Sequence, residues 1–224
     1  GESGSGKTTL ARMALAILEP TSGQALLHGR PWTALTPVKR RSLRQQIGVV
    51  YQDPLSSFDP RWSVGRILTD ALATATRPPS SRTEARDRAV RLLDQVGLGA
   101  QHLTASPLRL SGGQRQRVAI ARALAPEPSV LVCDEPASAL DVSIQAQVLD
   151  LLTDLQDELG VSYLFISHDL GVIHHMSDRI LVMTDGQVVE EGAAGDVFER
   201  PQHPYTQRLV TAVPRLLSSS RGES

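Results

Sequence analysis

The opening segment, Gly1-Glu-Ser-Gly-Ser-Gly-Lys-Thr8, constrains the fold more than any other part of the sequence. It matches the pattern G-x-x-x-x-G-K-[ST], whose glycines let the backbone wrap around phosphate groups with successive N–H groups pointing inward. Apolar side chains then recur at helical spacing, at Leu10, Met13, Ala14, Ile17 and Leu18. A helix behind the loop would present its positive N-terminal end to the same phosphates. The opening therefore predicts a phosphate loop that leads into a helix.

Two side chains of this loop carry specific chemistry. Lys7 is expected to reach the β- and γ-phosphates of a bound nucleotide, and Thr8 to offer its hydroxyl to Mg²⁺. The chain contains only two lysines, Lys7 and Lys39, so half of its lysine is placed where a compact cation is useful. The other residues expected to contact the nucleotide are Gly1, Ser3, Gly4, Ser5, Gly6 and Thr9.

Short apolar segments of strand type alternate with helical patterns along the rest of the chain. The predicted strands are Gln24–His28, Ile47–Tyr51, Val130–Cys133, Tyr163–Ile166, Ile180–Met183 and Val188–Val189. Their apolar residues are consecutive, which suits a mostly parallel sheet covered on both faces. A helical stripe over Ile144–Leu159 supplies one of the covering helices. The pattern predicts an α/β fold.

Strand signals stop between Asp53 and Ala125. Prolines punctuate this stretch, and Ser81-Arg-Thr-Glu84 has the form of a capping box before an amphipathic helix that ends at Gly97. We therefore predict a helical subdomain at 53–125, inserted in a core lobe formed by 1–52 and 126–195. Residues 196–224 form a C-terminal extension with a short helical piece and a serine-rich end.

Composition excludes several classes of protein. With 41% hydrophobic and 21% charged residues, the chain can bury a core and is not a disordered protein. A net charge of −1 gives no general attraction to nucleic acid or acidic lipid. No apolar run approaches the roughly 20 residues that a membrane span needs. The single cysteine, Cys133, excludes an intrachain disulfide and a cysteine metal cluster, and is expected to be a small buried hydrophobe.

Asp134 and Glu135 directly follow the predicted strand Val130–Cys133. A buried strand presents its last residues at the carboxyl edge of a parallel sheet, where ligands bind in this class of fold. Asp134 is therefore expected to hold Mg²⁺, directly or through water. Glu135 is the candidate general base that polarises the attacking water.

The segment Leu110-Ser-Gly-Gly-Gln114 and the Arg115–Arg122 run that follows resemble the signature motif of the ATP-binding cassette (ABC) ATPases. Ser111 is expected to cap a helix whose first amides, those of Gly112 and Gly113, form a second anion site. In that family this site meets the γ-phosphate held by another cassette. The resemblance covers residues 1–195 and implies a P-loop, ABC-type nucleotide-binding domain. Two such cassettes would sandwich two ATP molecules between them.

Three further motifs of the family occur in the expected order. Gln52 matches the Q-loop glutamine, which the resemblance implies senses Mg²⁺ and the attacking water. Ser138-Ala-Leu-Asp141 matches the D-loop, which crosses the interface between cassettes. His168 matches the switch histidine, which contacts the γ-phosphate. Glu135, Gln52 and His168 are thus the expected catalytic residues, and Thr8, Gln52 and Asp134 the expected metal-binding residues.

Two segments resemble a particular subfamily, the cassettes of oligopeptide, dipeptide and nickel importers. They are the Q-loop segment Gln52–Pro60 and the HPYT-containing segment Arg200–Leu209. The resemblance implies a peripheral ATPase on the cytoplasmic face of the membrane that powers uptake of peptides or a related small solute such as nickel. The implied partners are a second cassette (identical or paralogous), transmembrane permeases and, indirectly, an extracytoplasmic solute-binding protein. Nucleic acid is not an expected partner.

Two alternatives remain open at this point. One is a soluble cassette ATPase that acts on nucleic acid or ribosomes, which the near-neutral charge and the HPYT-like segment disfavour. The other is a catalytically incomplete fragment, against which the intact Glu135 and His168 argue. A phosphate loop normally follows a central strand, so we expect that strand and the family's adenine-stacking aromatic residue to be missing from this chain. The chain alone is then expected to be less stable, and to bind ATP more weakly, than one extended upstream.

Overall fold

The computed structural model of the chain describes residues 1–2, 4–33 and 35–212. The chain divides into two compact units. One comprises Gly1–Lys7 together with the residues from Ser167 onward, and the other comprises Thr8–Ile166.

The unit Thr8–Ile166 is built around a three-stranded parallel sheet. In chain order its elements are α1 (Lys7–Ala14, which begins one residue before the unit), β1 (Leu26–Leu27), β2 (Arg30–Pro31), α2 (Pro37–Arg44), β3 (Ile47–Val50), α3 (Val64–Leu72), α4 (Arg82–Gln95), α5 (Gly112–Leu124), β4 (Val130–Asp134), α6 (Val142–Leu159) and β5 (Ser162–Ile166). The sheet order is β3-β4-β5. All three strands lie within a residue of where the sequence predicts them, and their parallel pairing is confirmed.

The centre of this sheet is apolar, as its composition predicts. Ala11 of α1 and Leu15, the residue after α1, pack on Val132 of β4 and Ile166 of β5, and all four side chains are buried. Cys133 is fully buried on the same central strand. Burial raises the pKa of its thiol far above the ordinary value, so the group stays protonated. The prediction that Cys133 is a small buried hydrophobe is confirmed.

Gly48 of β3 lies where α5 crosses the sheet. A Cβ atom there would be 2.5 Å from the Ala123 carbonyl oxygen and 2.6 Å from Leu131 Cδ1. We expect Gly48→Ala to lower the free energy of unfolding by about 1–3 kcal/mol, because backbone and core would have to shift. Gly195→Ala is the matched control, since its added Cβ would meet no atom within 4 Å apart from its chain neighbours and the backbone of its own helix. Urea unfolding of both variants checks this, and equal stabilities would contradict it.

Between β3 and β4 the structure describes helices and turns but no strand, in agreement with the sequence. Ser81 caps α4 as predicted, with its hydroxyl accepting from the Glu84 N–H at 3.1 Å. The second bond that a capping box predicts, from the Ser81 N–H to the Glu84 side chain, is wrong. The Glu84 carboxylate instead accepts from both the N–H and the hydroxyl of Ser80, at 2.7 and 2.6 Å. Ser80 offers two donors to that carboxylate, whereas the box would supply one.

The other unit contains α7 (Leu170–Met176), β6 (Arg179–Thr184), β7 (Gln187–Ala193), α8 (Ala194–Glu199) and α9 (Pro204–Ala212). Strands β6 and β7 pair antiparallel, unlike the parallel arrangement that their apolar runs predict. Two residues, Asp185 and Gly186, join them, and both have positive φ (49° and 76°). So short a turn suits a hairpin and cannot make a parallel crossover. Side chains from β6, β7, α8 and α9 form this unit's own core.

The predicted strand Gln24–His28 is also shorter than expected. Only Leu26–Leu27 is a strand, and it pairs antiparallel with β2. His28 and Gly29 both have positive φ (49° and 72°), which turns the chain at once. The helix α9 was not predicted, and the serine-rich end lies outside the described residues. In the part of the chain that is described, no helix has both the length and the apolar character to cross a membrane.

Candidate functional site

The phosphate loop is folded as its glycines predict. Gly4 and Gly6 have φ values of 81° and 97°, which glycine adopts without a Cβ penalty. The loop rests on the β6–β7 hairpin of the same unit, where the Gly186 N–H donates to the Ser5 carbonyl oxygen at 3.2 Å. A Cβ on Gly1 would lie 2.0 Å from the Met183 carbonyl oxygen, so only glycine fits there. The predicted contact residue Ser3 lies outside the described residues.

Lys7 lies against the backbone of its own loop. Its Nζ donates to the carbonyl oxygens of Gly1 at 2.7 Å and Glu2 at 2.6 Å, and lies 3.4 Å from Ser5 Oγ. These bonds hold the ammonium group beside the loop whose glycines are predicted to wrap around phosphate groups. Thr9 is exposed on the first turn of α1.

Thr8 and Asp134 are adjacent, although 126 residues separate them in the sequence. The Thr8 hydroxyl donates to Asp134 Oδ1 at 3.3 Å. Two oxygen ligands on neighbouring positions of one Mg²⁺ ion lie about 3 Å apart, given its bond lengths of about 2.0–2.1 Å and octahedral geometry. The pair therefore suits that ion. Gln52 is exposed just beyond the end of β3, at the same carboxyl edge of the sheet.

A metal centre made of protein side chains alone is not found in the residues that the structure describes. No three His, Cys, Asp or Glu side chains among them form a group that could hold a metal. Mg²⁺ usually keeps several waters and is completed by substrate phosphates when one or two protein groups hold it. The Thr8–Asp134 pair fits that mode of binding.

Glu135 occupies a strained position immediately after β4. Its φ of 50° lies in the left-handed region, which costs a non-glycine residue about 1–3 kcal/mol. Hydrogen bonds on both sides fix this turn: the Glu135 N–H donates to the Ile166 carbonyl oxygen at 2.9 Å, and the Ser138 hydroxyl donates to the Glu135 carbonyl oxygen at 3.2 Å. Glu135, which is half-buried, thereby has its backbone fixed at the carboxyl edge of the sheet, next to Asp134.

Ser111 caps the signature helix α5 as the sequence predicts. Its hydroxyl accepts from the Gln114 N–H at 3.2 Å, and Gln114 Oε1 accepts from the Ser111 N–H at 3.0 Å. This is a complete capping box, of which the sequence predicts the Ser111 cap; the S-x-x-Q spacing is the local signal for its second bond. The amides of Gly112 and Gly113 take no part in the capping bonds. Leu110, just before the cap, is buried and anchors the segment.

The two signature glycines pack against the D-loop and the start of α6. A Cβ on Gly112 would lie 3.1 Å from Leu140 Cδ2, and one on Gly113 would lie 2.6 Å from Ile144 Cγ2. Asp141 is the residue before α6. Ser138 of the D-loop also bonds to the Glu135 backbone. The D-loop therefore contacts the turn after β4 on one side and the signature helix on the other. The sequence does not predict this contact.

His168 is exposed in the turn that precedes α7, in the unit that contains Gly1–Lys7. The neighbouring Asp169 accepts from the N–H groups of Gly171 at 2.8 Å and Val172 at 3.2 Å and so caps α7. The Asp169 N–H in turn donates to the Ser167 hydroxyl at 3.0 Å. These bonds fix the backbone on the C-terminal side of the histidine.

Arg122 is a residue whose contacts sequence reasoning missed. From α5 its guanidinium donates to the Ser57 carbonyl oxygen at 2.6 Å and lies 5.7 Å from the centre of the Phe58 ring. It therefore ties the signature helix to the segment that follows Gln52. The sequence carries only a weak signal for these contacts, because an arginine on an amphipathic helix usually lies in solvent.

Comparisons with known proteins agree on one family. The family described as "ABC transporter" matches residues 1–138, and "Oligopeptide/dipeptide transporter, C-terminal region" matches residues 189–223. The dipeptide transport ATP-binding protein DppF of Escherichia coli is 46% identical over 223 residues, which are 100% of this chain and 66% of DppF. The oligopeptide transport ATP-binding protein OppF of E. coli is 46% identical over 214 residues, 96% of this chain and 64% of OppF. The chain thus spans about two thirds of the length of these relatives.

A solved structure gives the same result for the fold. The ATP-binding cassette MJ0796, described as a dimer in a post-hydrolysis state with ADP and Pi bound, aligns with a TM-score of 0.77. The two sequences are 32% identical, and the alignment covers 87% of this chain and 83% of MJ0796. The α/β cassette fold predicted from the sequence is confirmed.

Proposed function

This chain belongs to the ABC transporter family, and we propose that it binds and hydrolyses ATP as the cassette subunit of an importer for oligopeptides, dipeptides or a related small solute such as nickel. The observation that carries the ATPase proposal is the contact between Thr8 and Asp134, with Glu135 next in sequence. It joins the phosphate-loop helix to the acidic end of the central strand. The match to the oligopeptide/dipeptide C-terminal region supports the choice of solute.

The phosphate loop binds the triphosphate. The amides of residues 4–8 and the positive end of α1 attract the phosphate oxygens, and the Lys7 ammonium bonds to the β- and γ-phosphates. Thr8, Asp134 and Gln52 would hold Mg²⁺. When bound, the ion would supply positive charge that offsets the negative charge of the phosphates.

Glu135 directs the attacking water. Its carboxylate accepts a proton while the water oxygen forms a bond to the γ-phosphorus and the bond to the ADP oxygen breaks. His168 donates a hydrogen bond to the γ-phosphate. Because the transition state is loose, these residues contribute mainly position and charge.

A second cassette, identical or paralogous, completes each site. Its signature helix, with the N–H groups of Gly112 and Gly113 at the capped end, faces the γ-phosphate bound by the first cassette. The reported dimer of the similar cassette MJ0796 supports this arrangement. ATP binding closes the pair, and hydrolysis reopens it.

The chain acts at the cytoplasmic face of the membrane as a peripheral subunit. Residues 1–52 and 126–195 form the ATP-binding lobe, and the helical subdomain 53–125 passes its motion to transmembrane permeases. Residues 196–224 form the extension of the peptide-importer group. A solute-binding protein delivers the solute to the permeases and so acts on this chain only indirectly. The names of DppF and OppF as transport ATP-binding proteins support this placement.

Substitution of the two lysines tests nucleotide binding. We expect Lys7→Ala to weaken ATP binding by about 10- to 100-fold, because hydrogen bonds from a charged donor to the phosphates are lost. Lys39→Ala is the matched control, since it removes the chain's only other lysine, an exposed one on α2. Calorimetric titration with Mg²⁺ and ATP measures both. Equal affinities for the wild-type protein and Lys7→Ala would contradict the proposed site.

A further inference from the structure

The HPYT segment contacts the phosphate loop directly. The Glu2 N–H donates to the Tyr205 phenol oxygen at 3.0 Å, across 203 residues of sequence and within one structural unit. This N–H belongs to the peptide group that joins Gly1 and Glu2. The carbonyl of the same peptide group, Gly1 O, accepts from Lys7 Nζ at 2.7 Å. One planar peptide group is therefore held by Tyr205 at its N–H and by Lys7 at its carbonyl.

This arrangement connects the tyrosine with the lysine. The C=O and N–H bonds of a trans peptide group are fixed in one plane and point in opposite directions. Holding the N–H therefore also sets the direction of the carbonyl that receives the Lys7 ammonium. A peptide group without this bond could rotate about its flanking φ and ψ angles and move the Lys7 acceptor with it.

Tyr205 is itself fixed by its surroundings. Its half-buried ring packs against the core formed by Ile180, Val182 and Val197. Its backbone N–H donates to His203 Nδ1 at 3.2 Å. The phenol oxygen is consequently presented by a packed side chain and not by a mobile one.

The turn that carries Tyr205 is tied to strand β7. The two carboxylate oxygens of Glu190 accept from the N–H groups of Gln202 at 2.9 Å and His203 at 3.0 Å. Burial acts to raise the pKa of Glu190, but its hydrogen-bond donors, led by the Gln202 N–H, outweigh that effect and lower the pKa below its ordinary value. The same hairpin also bonds to Ser5 through the Gly186 N–H. The β6–β7 hairpin thus holds the loop at Ser5 directly and at Glu2 through Tyr205.

We propose that Tyr205 is a positioning residue for the phosphate loop: by holding the Gly1–Glu2 peptide group, it orients the carbonyl that places the Lys7 ammonium for phosphate binding. This role rests on the proposed binding of ATP. The HPYT segment, which lies far from the phosphate loop in the sequence, thereby has a role in the nucleotide site.

Removal of the single phenol oxygen tests the proposal. Tyr205→Phe keeps the ring and its packing, and we expect its Kd for ATP to rise by about 2- to 12-fold, the effect of one neutral hydrogen bond. The turnover number at saturating ATP is expected to stay close to that of the wild-type protein, because the tyrosine acts on binding through Lys7. Hydrogen exchange at the Glu2 amide, measured without nucleotide, is expected to accelerate.

Tyr163→Phe is the matched control. The Tyr163 hydroxyl donates to the Leu152 carbonyl oxygen at 2.6 Å in the other unit, so this variant also loses one phenol hydrogen bond. We expect a lower melting temperature with an unchanged Kd for ATP and unchanged exchange at Glu2. Equal Kd values for Tyr205→Phe and the wild-type protein would overturn the proposal, and so would an equal loss of affinity in both variants. A wild-type protein that binds no ATP would instead contradict the proposed function, and this role of Tyr205 with it.

Discussion

Replacing Glu135 by glutamine is expected to lower ATP turnover by about 10²- to 10⁴-fold, the usual contribution of a general base. The amide has nearly the same shape as the carboxylate but cannot accept the proton of the attacking water. ATP binding is expected to persist, because the phosphate loop and the Thr8–Asp134 pair are unchanged. The variant should therefore accumulate with ATP bound in the closed pair of cassettes.

Steady-state ATPase assays and the amount of retained ATP measure these two effects. Glu127→Gln is the control, because Glu127 also has a positive φ (59°) and is exposed. Its ion pair with Arg88, with 3.1 Å between Glu127 Oε1 and the guanidinium, involves neither the phosphate loop nor the Thr8–Asp134 pair. Unchanged turnover in Glu135→Gln would remove Glu135 from the mechanism.

A methyl group on the second signature glycine is expected to have the next largest effect. In Gly113→Ala the new Cβ would lie 2.6 Å from Cγ2 of Ile144, a β-branched side chain that is stiff at χ1. The start of α5 must then move away from α6. We expect the free energy of unfolding to fall by about 1–3 kcal/mol. Turnover should fall by about 10²-fold, since a displacement of about 1 Å in a positioned group can cost that much.

Two further variants show whether the lost turnover comes from this steric clash or from a general loss of stability. Gly112→Ala should be milder, because its Cβ would meet only the tip of Leu140, Cδ2, at 3.1 Å. Gly113→Ala combined with Ile144→Ala should recover part of the lost turnover, because the second change removes the Cγ2 atom. Thermal unfolding and ATPase assays follow all three proteins. A double variant no better than Gly113→Ala alone would rule out the contact as the cause.

The parts of the fold that the sequence predicts well are those with local signals. The apolar runs that became β3, β4 and β5 are placed within a residue. The Ser111 cap was recognised because a cap needs only residues three positions apart. The acidic residues after β4 followed from the rule that ligands bind at the carboxyl edge of a parallel sheet. In each case the information lies within a few consecutive residues.

The features that the sequence could not predict depend on contacts between distant segments. The antiparallel pairing of β6 with β7 is a different case, because the two-residue turn Asp185-Gly186 that sets it is a local signal, which the apolar pattern of the strands does not contain. The steric fit of Gly113 against Ile144 requires two helices to be in place. The bond from Glu2 to Tyr205 joins the two ends of the described chain. Apolar periodicity carries no information about such pairs.

The most direct test of the central claim is ATP hydrolysis by the importer complex that we propose this chain forms in its own cells. The complex is isolated through a tag on this subunit, and Mg²⁺-dependent ATPase activity is measured with and without added peptides. We expect that permease subunits copurify, that a peptide stimulates hydrolysis and that Glu135→Gln abolishes the stimulated activity. A complex without permeases, or a peptide-independent activity that Glu135→Gln leaves intact, would contradict that claim.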